Sequence, residues 1–119
     1  MYSDTVKEHF SNPRNIGMLE SPDARGSAKN EADGDKVELH LAIESNTITD
    51  AKIRVMGCVA AIASSSMFSE MIKGKSVDEA RRISRDDIVQ ALGGLPEHKV
   101  RCSLTCVDAL ENALESYSK

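Results

Sequence analysis

The chain has 119 residues, enough for one domain that buries a hydrophobic core. Its formal net charge of −4 and aromatic content of 3% argue against nucleic acid as a partner. No apolar run reaches the roughly 18 residues of a membrane span, and the opening residues MYSDTVKEHF lack a signal-peptide pattern. We therefore expect a soluble, cytoplasmic protein that forms a single domain over residues 1–119 and binds no membrane.

The first half of the chain predicts one helix, a loop and two strands. Ser3 is placed to cap a short helix, which an Asn-Pro turn ends. Residues 18–31 show no usable periodicity and are predicted to form an exposed loop. Apolar and polar residues then alternate over 35–43 and again over 48–56, with a turn between them, which predicts a half-buried β-hairpin. His40 falls on its exposed side.

The second half of the chain predicts helices. The apolar period becomes helical at residue 58 and continues to 73, where a glycine follows. Ser76 and Ser84 each precede an acidic residue by three positions, the pattern of a capping box at the start of a helix. A last helix is predicted over about 100–117. Strands followed by helices indicate an α+β fold, in which about three antiparallel strands have helices packed on one face.

Two of the three cysteines lie four residues apart on the last predicted helix, so they share one face. The predicted apolar stripe of this helix consists of Val100, Leu104, Val107, Leu110 and Leu114. Beside it lies a strip of small residues: Cys102, Cys106, Ala109 and Ala113. Three cysteines in a reducing compartment do not indicate a disulfide framework. The strip leaves room for a bound object or a partner, and small, inert boundary residues are the alternative.

Cys58 follows a predicted strand and begins a helix. The free N–H groups and the dipole of a helix N-terminus favour the thiolate, which binds metal or attacks sulfur. The alternative is a small residue that lets helix and sheet approach closely. Asp33 and Asp35 flank Gly34 just before the first hairpin strand, and such a triplet is also typical of an ordinary solvated turn.

Three stretches of this sequence resemble the IscU/NifU-type iron–sulfur cluster assembly scaffolds, and the resemblance covers residues 2 to about 117. YSDTVKEHFSNPRNIG is similar to the opening segment of that family. MGCVAAIASSSMFSEMIKGKSVDEA is similar to its central motif, with Cys58 at the second ligand-cysteine position. GGLPEHKVRCS is similar to its final motif, with Cys102 at the third.

The resemblance implies a SufE/NifU-like sandwich, a small antiparallel sheet covered by helices. It also implies a scaffold without catalytic turnover of its own. Family members assemble a [2Fe–2S] cluster from iron and from sulfur delivered by a cysteine desulfurase, then transfer it to acceptor proteins. A homodimer is a candidate assembly of the cluster-bound form.

The sequence departs from the family pattern at two positions that bear on the cluster. Asp33 stands where the family has its first ligand cysteine, and Cys106 stands where most relatives have a non-ligand residue. A [2Fe–2S] cluster takes four terminal ligands. Asp33 and Asp35 are both candidates for the carboxylate ligand. We expect Cys58, Cys102 and Cys106 to bind the cluster with Asp33 as the fourth, while Asp35 tunes release. Mixed thiolate and carboxylate ligation is more labile than all-thiolate ligation, which suits a scaffold.

Two further departures concern the segment before Cys102. Arg101 replaces the histidine that usually precedes the last family cysteine, and it either favours nearby thiolates or is an exposed charge. His98 is the nearest substitute imidazole and a lower-ranked metal ligand. LPEHK keeps Leu95, Pro96 and Lys99 of the family's Leu-Pro-Pro-Val-Lys stretch, which docks an Hsp70-type chaperone. The changed pair between them predicts weak or absent chaperone recognition.

Two other functions fit the same residues. Three thiolates and a carboxylate also make a tetrahedral zinc site. In that interpretation the apo form holds zinc and the protein is a sulfur acceptor that stimulates a cysteine desulfurase, with Cys58 or Cys102 attacking the persulfide. The remaining interpretation is an adaptor that binds a desulfurase and holds no metal.

Overall fold

The computed structural model describes residues 2–117 and places helices against one face of a three-stranded antiparallel sheet. The helices are α1 (Asp4–Ser11), α2 (Val59–Ile72), α3 (Val77–Arg81), α4 (Arg85–Ala91) and α5 (Arg101–Tyr117), with a 3₁₀ turn (Glu97–Lys99) before α5. The strands are β1 (Ala24–Asn30), β2 (Asp35–Glu44) and β3 (Thr47–Met56). The predicted α+β class is confirmed. Within residues 2–117, no helix has the length and apolar character needed to cross a bilayer.

The sheet has the order β1-β2-β3, and its central strand supplies much of the core. The predicted hairpin of β2 and β3 is confirmed, with Leu39 opposite Ile53. Alternate residues of β2 point inward and are almost fully buried, as in Val37, Leu39 and Leu41. Because the helices cover this inner face, the polar residues between these positions face outward.

The prediction of a loop over residues 18–31 is wrong where β1 forms. The inward positions of this edge strand carry only small side chains, Ala24, Gly26 and Ala28, so no large apolar residue marks the alternation. A Cβ added at Gly26 would lie 2.2 Å from the backbone nitrogen of Ala113 in α5. The strand is therefore built for close approach of a helix, a property that hydrophobic periodicity does not reveal.

The buried face of α5 also differs from the predicted stripe. Leu104 is 38% exposed and Val107 is half-buried. The predicted strip of small residues is instead fully buried: Cys102, Cys106, Ala109 and Ala113. Because α5 lies almost against the backbone of β1, small side chains occupy the contact and the larger Leu104 is displaced toward solvent.

The predicted caps are confirmed, and they fix where the helices begin. The Ser3 hydroxyl accepts a hydrogen bond from the Val6 amide. Ser76 with Glu79, and Ser84 with Asp87, form complete capping boxes at the starts of α3 and α4. Each box satisfies N–H groups that a helix N-terminus leaves free.

The segment between α1 and β1 lies against the sheet, which overturns the prediction that His40 is exposed. Ile16 forms a bridge with Ile53 of β3. The Leu19 amide donates to Nδ1 of His40, and Nε2 of the same ring lies 3.1 Å from a Glu38 oxygen. His40 is 3% exposed as a result. The alternation of β2 identifies the outward side of the strand, but it does not show that the segment with Leu19 covers His40.

Candidate metal-binding site

Three side chains from separate elements converge at one end of the sheet. Asp35 is the first residue of β2, Cys58 is the N-cap of α2, and Cys102 is the second residue of α5. Their donor atoms all lie within 4.8 Å of one another. The two sulfur atoms are 3.8 Å apart, and the Cys102 thiol donates to Asp35 Oδ2 over 3.2 Å. In the part of the chain that the structure describes, this is the one cluster of metal-ligand type.

The strand pattern and a glycine place Asp35 in this group. Asp35 has the same parity as Val37 and Leu39, so its carboxylate points inward and is 0% exposed. A Cβ at Gly57 would lie 2.2 Å from Asp35 Oδ1, so only glycine leaves space for the carboxylate. The backbone N–H of Cys58 donates to the same oxygen over 3.1 Å.

A metal ion at this site would compete with the protons of the thiol groups. Burial raises the pKa of Cys102 well above its ordinary range, and the hydrogen bond to Asp35 raises it further. Cys58 is half-buried and is the more accessible of the two thiols. A cation that binds here must displace thiol protons, and it then compensates the buried carboxylate.

Asp33 lies outside this group and forms ion pairs at its rim. Its carboxylate accepts hydrogen bonds of 2.6 Å from Arg101 Nε and 3.1 Å from Arg101 Nη2. Lys99 Nζ lies 3.7 Å away. The bonds from Arg101 lower the pKa of Asp33 to about 2. The β1–β2 loop is thereby tied to the start of α5.

Cys106 and His98 are not brought to the group. Cys106 is 0% exposed within the hydrophobic core, and its sulfur lies 3.4 Å from the Ser65 hydroxyl. Burial raises the pKa of this thiol to about 12. His98 is exposed on the 3₁₀ turn. The ligand roles predicted for Asp33, Cys106 and His98 stay predictions.

The sequence contains a signal for Asp35 as a member of the group. The alternation of β2 includes position 35, so a carboxylate at that position belongs to the buried series. A carboxylate on the inner face of a strand requires a compensating partner.

Comparison with known proteins identifies the family of the chain. The profile of the NifU-like N-terminal domain matches residues 1–119. The chain is 47% identical over 117 residues to the iron–sulfur cluster assembly scaffold protein IscU 1 of Archaeoglobus fulgidus, covering 98% of this chain and 76% of that protein. It is 44% identical over 119 residues to the iron–sulfur cluster assembly protein IscU of Plasmodium falciparum, covering 98% and 73%.

A solved structure gives the same result for the fold. The crystal structure of the SUF-system protein FiSufU from Fervidobacterium islandicum superposes on this chain with a TM-score of 0.78. The two sequences are 25% identical, and the superposition covers 95% of this chain and 96% of the other. The predicted small sheet with helices on one face is therefore an arrangement that solved proteins share.

Proposed function

Because the chain belongs to the NifU-like N-terminal domain family, we propose that it is an iron–sulfur cluster assembly scaffold. A [2Fe–2S] cluster is assembled on it from iron and from sulfur supplied by a cysteine desulfurase, and is then transferred to acceptor proteins. The convergence of Asp35, Cys58 and Cys102 within 4.8 Å carries the proposal. The relatives named as scaffold proteins support a carrier role without turnover of its own.

The chemistry of the three residues fits such a cargo. Thiolates are the usual terminal ligands of iron–sulfur clusters, and a carboxylate oxygen suits ferric iron. Both hydrogen bonds to Asp35 Oδ2 come from the thiols of Cys58 and Cys102. When iron replaces the two thiol protons, the carboxylate keeps a positive partner and the backbone N–H of Cys58 still holds its other oxygen.

Asp33 is the proposed fourth ligand. It is two residues from Asp35 in the same turn, and it becomes available when it exchanges Arg101 for iron. The sequence also predicts Cys106 as a ligand. Its sulfur lies apart from the other donors, in the core beside the Ser65 hydroxyl. Carboxylate oxygens are poorer partners than thiolates for a soft site, so this ligand set favours release of the cluster.

The charge at the rim supports sulfur delivery by a desulfurase. Interaction with Cys58 is the main cause that raises the pKa of Lys99, and Asp33 contributes as well. The Lys99 ammonium thus lies near the thiol to which the desulfurase delivers sulfur. A cytoplasmic location and a homodimeric cluster-bound form are part of the same proposal.

Residues 95–99 determine what we propose about docking of an Hsp70-type chaperone. Leu95 and Pro96 are half-buried, whereas Glu97 and His98 are exposed where the family has Pro and Val. A groove for the family motif would meet more polar side chains at these two positions. We therefore propose that any docking through Leu95, Pro96 and Lys99 is weak.

Anaerobic reconstitution with ferrous iron, sulfide and a reductant tests the proposal. We expect a stoichiometric [2Fe–2S] cluster whose Mössbauer spectrum shows two inequivalent iron sites, one of them with oxygen ligation. Cys58→Ala and Cys102→Ala should each abolish the cluster, with Ser76→Ala as a matched control outside the site. A protein that excludes iron and retains zinc would contradict the scaffold proposal.

A zinc-bound sulfur acceptor is the second candidate, because two thiols and carboxylate oxygens also suit zinc. The half-buried Cys58 would attack the outer sulfur of a desulfurase persulfide as a thiolate. A new sulfur–sulfur bond forms on Cys58, and the desulfurase cysteine leaves as a thiolate. Tightly bound zinc together with stimulated desulfurase turnover would favour this function, and iron with acid-labile sulfide would favour the scaffold.

A further inference from the structure

The outer face of the sheet carries a concentration of positive charge. The register places three rows of outward side chains across β1, β2 and β3. The rows are Lys29, Lys36 and Met56; Ser27, Glu38 and Arg54; and Arg25, His40 and Lys52. Within these three rows, five Lys and Arg residues accompany one carboxylate, Glu38, on a chain whose formal net charge is −4. His40 is covered by the segment that carries Leu19, and the next row adds Asp50 opposite Ala42.

Most of these cations have no carboxylate partner among residues 2–117. Glu38 lies 3.8 Å from Arg54 and 3.1 Å from His40. For the other four basic residues, the structure of residues 2–117 shows no carboxylate within ion-pairing distance. Lys29 lies directly opposite Lys36, and like charges at opposite positions destabilise a sheet. An external anionic group would relieve this repulsion.

Exposed apolar side chains border the same cations. Met56 is 73% exposed, Met18 59% and Ile16 51%. Ile16 and Met56 line a groove of about 380 Å³ together with Lys36, Glu38 and Arg54. A second groove, of about 300 Å³, lies across Arg25, Ser27, Lys36 and Glu38. The helices pack on the inner face of the sheet. Outward side chains of β2 and β3 line the first groove, and the second lies at the β1 edge, where Gly26 and Asn112 of α5 also line it.

We propose that this face docks a partner protein whose contact surface is acidic and presents an apolar side chain. The carboxylates of the partner meet the unpaired Lys and Arg residues, and its apolar group enters the groove beside Met56. Methionine is well suited to such adaptable contacts. A protein fits better than a nucleic acid, because Glu38 at the centre repels phosphate and the three rows contain no Phe, Tyr or Trp on which a base could stack.

The outer face of the sheet adjoins the candidate metal site. Lys36 follows Asp35 directly, and Met56 is two residues before Cys58. The partner would therefore dock next to the candidate metal site. The inference goes beyond the scaffold function and requires no cluster, so metal-free protein tests it independently.

The probe is a synthetic 24-residue helical peptide with glutamates on one face and leucines on the other, titrated into metal-free protein by calorimetry. We expect saturable binding, with amide shifts in NMR spectra concentrated on β1, β2 and β3. The triple variant Arg25→Glu, Lys29→Glu, Lys36→Glu should bind about tenfold more weakly, from roughly 0.5 kcal/mol per exposed ion pair. The matched control is Lys7→Glu, Lys75→Glu, Arg82→Glu, which changes the charge equally elsewhere and should retain more of the affinity.

Three results would overturn the inference: no binding of the peptide, equal weakening in the two triple variants, or tighter binding of a 20-base-pair DNA duplex that displaces the peptide. The last would identify a nucleic-acid surface. If the glutamate variant does not fold, as judged by circular dichroism, Arg25→Gln, Lys29→Gln, Lys36→Gln replaces it. Met56→Ser should independently weaken binding of the peptide without changing the net charge.

Discussion

Arg101 donates two hydrogen bonds to the carboxylate of Asp33, across 68 positions of the chain. In the resemblance to the scaffold family, Asp33 corresponds to a cysteine and Arg101 to a histidine. The two departures are therefore coupled by direct contact. Together they tie the β1–β2 loop to α5 through a charge-assisted, two-point interaction that a thiol and an imidazole do not form.

Asp33→Cys should lengthen the lifetime of a reconstituted cluster. The substitution supplies a third thiolate close to Asp35 and frees Arg101, and thiolate is a stronger ligand than carboxylate for this kind of site. The measurement is the rate at which a chelator removes iron, compared with the parent protein. Asp33→Ala is the control and should shorten the lifetime. If both variants lose iron at the parental rate, Asp33 is not a ligand.

The ion pair at Asp33 should contribute to stability in a defined pH range. Its pKa is lowered from an ordinary value of 3.8 to about 2, mainly by Arg101. A lowered pKa means that the contribution is complete above about pH 4 and is lost as the pH falls toward 2. Thermal unfolding of the parent protein and of Asp33→Asn should differ at pH 6, and most of this difference should be lost at pH 2. An undiminished difference at pH 2 would show that the ion pair is not its cause.

Gly57→Ala should displace Asp35 and weaken metal binding. The new methyl group would lie 2.2 Å from Asp35 Oδ1, so the carboxylate must move, at a cost of about 1–3 kcal/mol in the free energy of unfolding. Competition with a chromogenic chelator measures the loss of zinc or ferrous affinity. Gly74→Ala is a suitable control, because Gly74 has a φ of +83° with open space around it. That variant should lose stability and keep its metal affinity.

Cys106→Ala should leave cluster yield and spectrum unchanged. The thiol is enclosed in the core, and burial raises its pKa to about 12, so it resists iodoacetamide at pH 8 until the protein unfolds. We expect about 1 kcal/mol of lost stability from the smaller side chain. Mass spectrometry after alkylation should find Cys58 modified and Cys106 intact in the native protein. A lost cluster in Cys106→Ala would instead support the ligand set predicted from sequence.

Metal affinity should rise with pH across the neutral range. Cys102 binds its proton more tightly than an ordinary thiol because of burial and its bond to Asp35, and metal must displace that proton. Chelator competition at pH 6.5, 7.5 and 8.5 measures the slope. Cys106→Ala should show the parental slope, whereas Cys102→Ser should flatten it. A slope equal in all three proteins would exclude proton displacement at Cys102.

The sequence predicted those parts of the fold whose pattern is locally visible. The alternation of β2 and β3 and the serine caps of three helices are confirmed, since each depends on residues within one element. Local periodicity does not reveal β1, because Gly26 and its neighbours are small for contact with α5, a helix distant in sequence. Periodicity places Leu104 in the buried stripe because it ranks large side chains first, whereas the gap between α5 and β1 accepts only small ones.

The candidate site, like the fold, is predictable from the sequence only where a local motif marks it. Cys58 and Cys102 follow from motif and spacing, and the structure brings their sulfur atoms together. The role of Asp35 depends on space left by Gly57, and the position of Asp33 depends on Arg101. Each of these is a contact across at least 22 positions, which no local pattern contains.

The three donors of the site are 23, 44 and 67 positions apart in pairs. Such long sequence separations make a site a late event in folding, because loops must close before the donors meet. A growing chain on the ribosome therefore presents Asp35 and Cys58 for some time before Cys102 exists. Until α5 has been synthesised and has docked on β1, the polypeptide lacks a complete set of ligands. Under the proposed function, the complete ligand set therefore exists only in the finished fold.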